Sequence, residues 1–149
     1  MEFPELKSVL YKKILVALDA THADLTVLSH VVTIARVCGS EVVLLHVADG
    51  WAARLFGSDA VSPEIRKDQA YLKSVQARLA QAGVHAEAEL AYGEPADQIV
   101  RWIDKCGCDL LAMSTHGHQL FTNILLGMTV DKVRRAVTVP VLLVRAGWG

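Results

Sequence analysis

Hydrophobic residues along this chain form two kinds of pattern, short unbroken runs and longer stretches with helical spacing. Ile14–Leu18 and Val42–Val47 are almost uninterrupted by polar residues, and similar runs occur at Leu110–Met113 and Val139–Val144. Short runs without alternation are typical of strands that are buried on both faces of a sheet. We therefore expect four strands that are covered by helices on both faces of the sheet.

Between these runs, hydrophobic residues recur every three or four positions, as they do in amphipathic helices. Thr21 with Asp24 three residues later resembles a capping box at the start of a first helix. Ser62–Pro63 is a helix start with a cap residue and an early proline. A third helix is predicted to open at Gly93–Pro95, and a fourth to span Val130–Val137.

One further run, Val84–Ala91, alternates between hydrophobic and polar residues, which predicts a half-exposed strand at a sheet edge. Strands and helices therefore alternate along the whole chain. This order predicts an α/β fold, with helices on both faces of a five-stranded parallel sheet and a single domain over residues 1–149. Ligands of such sheets bind beyond the carboxyl ends of the strands, where the strand order reverses. Asp19 and the Ser114–Gly117 loop are expected to meet there.

The segment from Ser114–Gly117 to Gly127–Thr129 joins a predicted strand to the start of a predicted helix. The first backbone N–H groups of a helix have no partners within it, and the helix dipole favours negative charge at that end. Small residues allow a phosphate group to approach the main chain closely. If this protein binds a nucleotide, this loop is the predicted position of its phosphates.

Composition narrows the classes of function. The formal net charge is −1, which argues against nucleic acids and anionic membranes as partners. The uncharged hydrophobic runs are far shorter than the ~20 residues that cross a bilayer. Glu2 and Glu5 lie where a secretory signal would be basic, and the three cysteines show no disulfide framework. We therefore expect a cytoplasmic protein with reduced thiols.

Five segments, in this order and spacing, carry a resemblance to a known family. They are Lys12–Asp19, Leu44–Val47, Gly93–Pro95, Ser114–Gly117 followed by nine residues and then Gly127, and Val139–Val144. Together they resemble the universal stress protein family over residues 11–145. The resemblance implies a three-layer α/β/α fold of the adenine nucleotide alpha hydrolase-like, Rossmann-like type, with strand order 3-2-1-4-5. It also implies a homodimeric stress-response protein.

The same resemblance implies a set of residues around a bound adenine nucleotide. Asp19 and the backbone of Val47 would contact the adenine. The ribose would be lined by Ala17, Leu18, Met113 and Ser114. The phosphates would be surrounded by Gly117, His118, Gly127, Met128 and Thr129. The ligand would be ATP or AMP, with Mg²⁺ left open as a companion of ATP.

Two positions depart from the pattern of the family's ATP-binding branch, which is Gly-x-x-Gly, nine residues, then Gly followed by Ser or Thr. Ser114 stands at the first glycine, and Met128 stands at the hydroxyl position. A lost hydrogen bond to a charged group costs about 1.5–3 kcal/mol, which is roughly tenfold to a hundredfold in affinity. An alternative function therefore stays open, a protein-interaction module of the branch that does not bind ATP. Only His116 or His118 could serve as a base near the phosphates, so at most slow ATP hydrolysis is expected.

The last strand predicts how two copies associate. Val141–Val144 is hydrophobic on both faces, and an open edge of this kind is an aggregation hazard. Pairing with the same strand of a second copy would close the edge in a twofold dimer. The resemblance implies the same interface. The alternative is a monomer in which residues 146–149 cover the edge.

Three further positions have two interpretations each. His46 lies in a predicted buried strand and is interpreted as a hydrogen-bonded core histidine rather than a ligand. Trp51 and Phe56, in the long connection after that strand, could form a lid or simply pack locally.

Overall fold

The computed structural model describes residues 1–5, 10–48, 63–115 and 123–146, with the side chains of 123–128 left out. The described residues form nine elements, which are β1 Lys13–Leu18, α1 Asp24–Cys38, β2 Glu41–Ala48, α2 Pro63–Gln81, β3 Ala86–Tyr92, α3 Pro95–Cys106, β4 Leu110–Thr115, α4 Asn123–Ala136 and β5 Val141–Arg145. The predicted alternation of strands and helices is confirmed. Within these ranges, no helix is both long enough and apolar enough to cross a membrane.

The five strands form one parallel sheet in the order β3-β2-β1-β4-β5, which confirms the predicted topology. The alternating strand β3 lies at one edge, as its half-polar pattern predicted, and β5 lies at the other. The chain moves outward from β1 through β2 to β3 and then returns to β4 on the opposite side. The order therefore reverses between β1 and β4, which are neighbours in the sheet.

Both faces of the central strands are buried, which explains their unbroken hydrophobic runs. Ile14 and Val16 lie in the core beneath α1 and α2, whereas Leu15 lies in the core beneath α3 and α4. All three side chains are inaccessible to solvent. Burying a side chain of this size stabilises the fold by about 1.5–3 kcal/mol. The sheet therefore forms a rigid base for the loops that follow its strands.

The register between β1 and β4 is fixed at the amino ends of the strands by one carboxylate. Asp109 accepts hydrogen bonds from the backbone N–H groups of Lys12, at 2.8 Å, and Lys13, at 3.0 Å. The N–H of Asp109 in turn donates to the carbonyl oxygen of Lys13 at 3.0 Å. Because strands are nearly rigid, this clamp also decides which residues meet at the opposite, carboxyl ends.

Helix α4 begins at Asn123, ahead of the predicted start at Val130, so the predicted boundary is wrong. Gly127 and Met128 lie inside the helix rather than in the loop before it. A single glycine costs a helix about 1 kcal/mol, and the leucines and methionine around it are good helix formers. The glycine was therefore a poor guide to where the loop ends.

A buried carboxylate connects the two helices on one face of the sheet. Asp24, the first residue of α1, is fully buried and accepts a hydrogen bond of 2.6 Å from the hydroxyl of Tyr71 on α2. The predicted capping box forms only in part. The Asp24 carboxylate does reach the N–H of Thr21, at 3.4 Å, but the hydroxyl of Thr21 accepts from Ala23 at 3.3 Å instead of capping Asp24.

The phenol of Tyr71 should make stability depend on pH in the alkaline range. Burial, the hydrogen bond to Asp24 and the negative charges of Asp24 and Asp19 raise the pKa of Tyr71 well above its ordinary value. The unfolded chain releases this proton near pH ~10, while the folded protein keeps it. The unfolding free energy should therefore hold its full Tyr71 contribution below pH ~10 and lose it as the pH rises further.

The measurement is urea unfolding of the wild type and of Tyr71→Phe between neutral and strongly alkaline pH. The stability advantage of the wild type over this variant should shrink above pH ~10. Tyr92→Phe, at an exposed position on the edge strand, is the matched control. An advantage that stays constant across the alkaline range would show that the Tyr71 phenol is not perturbed.

Candidate functional site

The carboxyl ends of β1, β2 and β4 bring most of the described site candidates together. Ala17 is the register partner of both Leu45 and Met113, and Leu18 pairs with His46. Asp19 follows directly, at the point where the strand order reverses. Several site candidates therefore lie together at the carboxyl ends of the strands. They are Ala17, Leu18, Asp19, Val47, Met113 and Ser114.

These residues divide between the two faces of the sheet because side chains alternate along a strand. Ala17, Val47 and Met113 pack in the core beneath α3 and α4. Leu18 belongs to the core beneath α1 and α2. Ser114 is buried, so the site candidates include one polar side chain within β4 itself. A ligand at the carboxyl ends of these strands would reach apolar side chains on the α3–α4 side and backbone groups at the strand ends.

The loop that leaves β1 has an unusual backbone. Ala20 has a φ of 59°, in the left-handed region, which costs a residue with a Cβ atom about 1–2 kcal/mol. The Asp24 carboxylate stabilises this conformation by accepting hydrogen bonds from the N–H groups of Asp19 at 2.9 Å, Ala20 at 2.8 Å and Thr21 at 3.4 Å. The half-buried Asp19 side chain therefore projects from a loop that is tied down at three consecutive amides.

His46 has the role that its buried position predicted. Its Nδ1 lies 2.8 Å from the carbonyl oxygen of Leu18, and its Nε2 lies 3.5 Å from Oδ2 of Asp68 on α2. Since a carbonyl oxygen only accepts, Nδ1 carries the proton in this bond. The side chain is 12% exposed and has a partner at each ring nitrogen, so the interpretation as a hydrogen-bonded core histidine is confirmed.

Sequence reasoning missed Asp24, Tyr71 and Asp68 as residues of this region. One signal was available for Asp24, which lies three and four residues before Val27 and Leu28 and so shares the inner face of α1. A carboxylate on a buried helix face needs donors, which implies a structural role. Nothing in the sequence indicated that Tyr71 and Asp68 of α2 would be among the contacts.

The predicted phosphate region is described only in part. Gly117 and His118 lie outside the described residues. Gly127 and Met128 lie in the first turns of α4, and Thr129 is buried. The contacts of these five residues with a phosphate group stay predictions.

Two charged groups flank the start of α3, which also lies at the carboxyl ends of the strands. Glu94 caps this helix by accepting from the N–H of Asp97 at 2.9 Å, and its Oε2 lies 3.6 Å from Nζ of Lys132 on α4. Burial alone would raise the pKa of Glu94, but the amides of Asp97 and Ala96 and the charge of Lys132 outweigh it and hold the pKa below its usual value. The side chain of Lys132 is 58% exposed, so this ion pair lies mostly in solvent.

The described residues narrow the chemistry that is available. Among them, no group of three or more His, Cys, Asp or Glu side chains is arranged to hold a metal ion. Burial raises the pKa of the Cys108 thiol to about 12 and also raises that of Cys106. Neither thiol is therefore a ready nucleophile at neutral pH. Both thiols lie just before the amino end of β4, at the opposite end of the sheet from Asp19.

A groove of about 870 Å³ separates α1 from α2 on the side of the sheet that carries Asp24. Ala20 and Tyr71 both line it, and the side chains of Leu28 and Val75 contribute to its walls. The two helices are thus not packed against each other along this stretch. The hydrogen bond between Tyr71 and Asp24 connects them across the groove.

Comparisons with known proteins agree on one family. The profile of the universal stress protein family matches residues 10–145. Universal stress protein MJ0531 of Methanocaldococcus jannaschii is 33% identical over 143 residues, which cover 91% of this chain and 83% of that protein. The solved structure of protein MJ0577 from the same organism superposes with a TM-score of 0.80 at 26% identity, covering 95% of this chain and all of that one.

Two further solved structures are similar in fold and contain adenine nucleotides. A universal stress protein in complex with cAMP has a TM-score of 0.69 at 22% identity, covering 92% of this chain and 98% of that one. The universal stress protein of Archaeoglobus fulgidus in complex with dAMP has a TM-score of 0.68 at 23% identity, covering 89% and 97%. The family profile, the curated relative and the shared fold together show that this chain belongs to the universal stress protein family.

Proposed function

We propose that this protein is a homodimeric regulator or sensor of the stress response that binds an adenine nucleotide, either ATP or AMP. The observation that carries the proposal is the position of Asp19, at the carboxyl end of β1 between the ends of β2 and β4. This is the point of strand-order reversal, where sheets of this type bind ligands. Relatives of the same fold that were solved with cAMP and dAMP support an adenine nucleotide as the ligand.

The proposed contacts are those that the resemblance to the family implies, and the chemistry of Asp19 fits its role. A carboxylate accepts hydrogen bonds, so Asp19 can accept from the exocyclic amine of adenine, and the backbone of Val47 supplies a second contact. The ribose lies against Ala17, Leu18, Met113 and Ser114. The phosphates lie near Gly117, His118, Gly127, Met128 and Thr129, and Mg²⁺ accompanies ATP if ATP is the ligand.

The described residues favour binding without rapid turnover. Asp24 accepts four hydrogen bonds from the chain, and His46 is held by Leu18 and Asp68. Neither group is therefore available as a base for an attacking water. ATP hydrolysis, if it occurs, is slow in this proposal.

The two edges of the sheet differ in a way that supports dimerisation through β5. Edge strand β3 carries Glu87 and Glu89, and charges on an edge discourage strand pairing. Val141–Val144 carries no charge, and Leu143 is 40% exposed. Pairing of β5 with its twofold-related copy buries this side chain and continues the sheet across the dimer.

A second candidate function rests on Met128. A side chain without a hydroxyl group cannot donate to a phosphate oxygen, so this residue favours the branch of the family that does not bind ATP. The protein is then an interaction module with the same fold and dimer.

Removal of the Asp19 carboxylate should weaken nucleotide binding. The wild type, purified without added nucleotide, should release about one adenine nucleotide per chain on denaturation. Asp19→Ala loses a hydrogen bond to a charged group, so AMP affinity measured by calorimetry should fall roughly tenfold to a hundredfold. Glu41→Ala, which removes an exposed carboxylate at the opposite end of the sheet, is the matched control.

The result that would contradict the proposal concerns the wild type. A protein that releases no nucleotide and gives no heat with AMP or with ATP–Mg²⁺ does not have this site. Equal affinity of Asp19→Ala and the wild type would instead reject the role of Asp19.

Substitution at position 128 separates the two candidate functions. Met128→Ser restores a hydroxyl, so ATP affinity should rise about tenfold while AMP affinity changes little. Met128→Ala shortens the side chain without adding a donor and controls for the removal of bulk. If serine and alanine give the same ATP affinity, the missing hydroxyl is not what limits binding, and the interaction module is favoured.

Charge introduced on β5 should abolish dimerisation. Leu143→Lys places like charges opposite each other at the proposed interface, so light scattering after size-exclusion chromatography should give the monomer mass. Val37→Lys, on α1 at a position that is 82% exposed, should leave the dimer intact. A wild type that is monomeric at micromolar concentration, or a Leu143→Lys variant that stays dimeric, argues against this interface.

A further inference from the structure

One peptide group is held at both of its polar atoms where β1 leaves the sheet. The carbonyl oxygen of Leu18 accepts from Nδ1 of His46 at 2.8 Å, and the N–H of Asp19 donates to Oδ1 of Asp24 at 2.9 Å. Both atoms belong to the same planar peptide. Its orientation sets the direction in which the Asp19 side chain leaves the backbone. The two hydrogen bonds therefore determine where the candidate adenine contact points.

Each of these two partners is itself held by a side chain of α2. Tyr71 donates to Oδ2 of Asp24 at 2.6 Å, and Oδ2 of Asp68 lies 3.5 Å from Nε2 of His46. Asp68 and Tyr71 are three residues apart, so they project from the same face of the helix. One polar connection therefore runs from Tyr71 through Asp24 to the N–H of the Leu18–Asp19 peptide. The other runs from Asp68 through His46 to its carbonyl oxygen.

The backbone next to this peptide would not keep its conformation without support. Ala20 is in the left-handed region, which a residue with a Cβ atom rarely adopts. The amides of Asp19 and Ala20 both point at the single carboxylate of Asp24, which is fully buried. Because a groove separates α1 from α2 here, Tyr71 is the residue of α2 that reaches this carboxylate.

We propose that Tyr71 and Asp68 are positioning residues for nucleotide binding, acting through Asp24 and His46 on the Leu18–Asp19 peptide to aim the Asp19 carboxylate at adenine. This inference rests on the proposed function, since it assigns a support to the same site. It makes the docking of α2 a condition for tight binding. Neither Tyr71 nor Asp68 contacts the nucleotide in this arrangement.

The test combines calorimetry with the amide spectrum of the β1 exit loop. Tyr71→Phe and Asp68→Asn each keep the size of the side chain while removing one connection. In the ¹H–¹⁵N spectrum of the nucleotide-free protein, the amides of Asp19 and Ala20 should shift in Tyr71→Phe, because their acceptor has lost its other donor. AMP affinity should fall about three- to tenfold in each variant.

The control is Ile103→Ala, a cavity-forming substitution at a buried position near the end of α3, on the other face of the sheet. It should lower the melting temperature at least as much as Tyr71→Phe does, yet leave the two amide shifts and the AMP affinity unchanged. A general loss of stability would affect all three variants alike, and that result would reject the positioning role.

The outcomes for this inference and for the proposed function are distinguishable. A wild type that binds AMP, together with variants that bind it equally well, overturns the inference and leaves the function standing. A wild type that binds no adenine nucleotide overturns the function. In that case, shifts confined to the amides of residues 18–21 still support the connection to α2, and unchanged spectra reject it.

Discussion

A carboxylate that is buried must be surrounded by donors, and the candidate site depends on how this protein satisfies that constraint at Asp24. Three consecutive backbone amides and one phenol supply the hydrogen bonds. The amides belong to the loop that carries Asp19, and the phenol belongs to α2. The same group that starts α1 therefore also fixes the β1 exit and connects two helices that a groove would otherwise leave apart.

Much of the fold could be predicted from the sequence because hydrophobic burial determines it locally. The unbroken runs of β1, β2 and β4 identified strands covered on both faces, and the alternation in β3 identified an edge. The start of α4 could not be placed from the sequence. The low helix propensity of Gly127 favours a loop, yet this glycine lies within the helix, because packing rather than propensity decides the conformation there. The capping box was predicted only in part for a related reason. The Asp24 carboxylate accepts shorter hydrogen bonds from the N–H of Ala20 and the hydroxyl of Tyr71 than from Thr21.

The candidate site was predicted unevenly. The proximity of Asp19 to the ends of β2 and β4 follows from topology, because the carboxyl ends of parallel strands all lie at the same end of the sheet. The supports from α2 do not, since Asp68 and Tyr71 lie twenty or more residues beyond β2 and meet the loop only through tertiary packing. Periodicity shows which face of a helix is buried, but it does not show which polar groups meet across the space between two helices.

The raised pKa values of Cys106 and Cys108 have a consequence for what a stress protein of this kind can detect. Peroxide attacks thiolates rather than thiols, and burial raises the pKa of the Cys108 thiol to about 12, so this thiol stays protonated at neutral pH. Cys106 is shifted in the same direction. Oxidants would therefore leave this pair almost untouched while more reactive thiols in the cell are consumed. Under the proposed function, a signal carried by nucleotide levels would therefore persist under oxidising conditions.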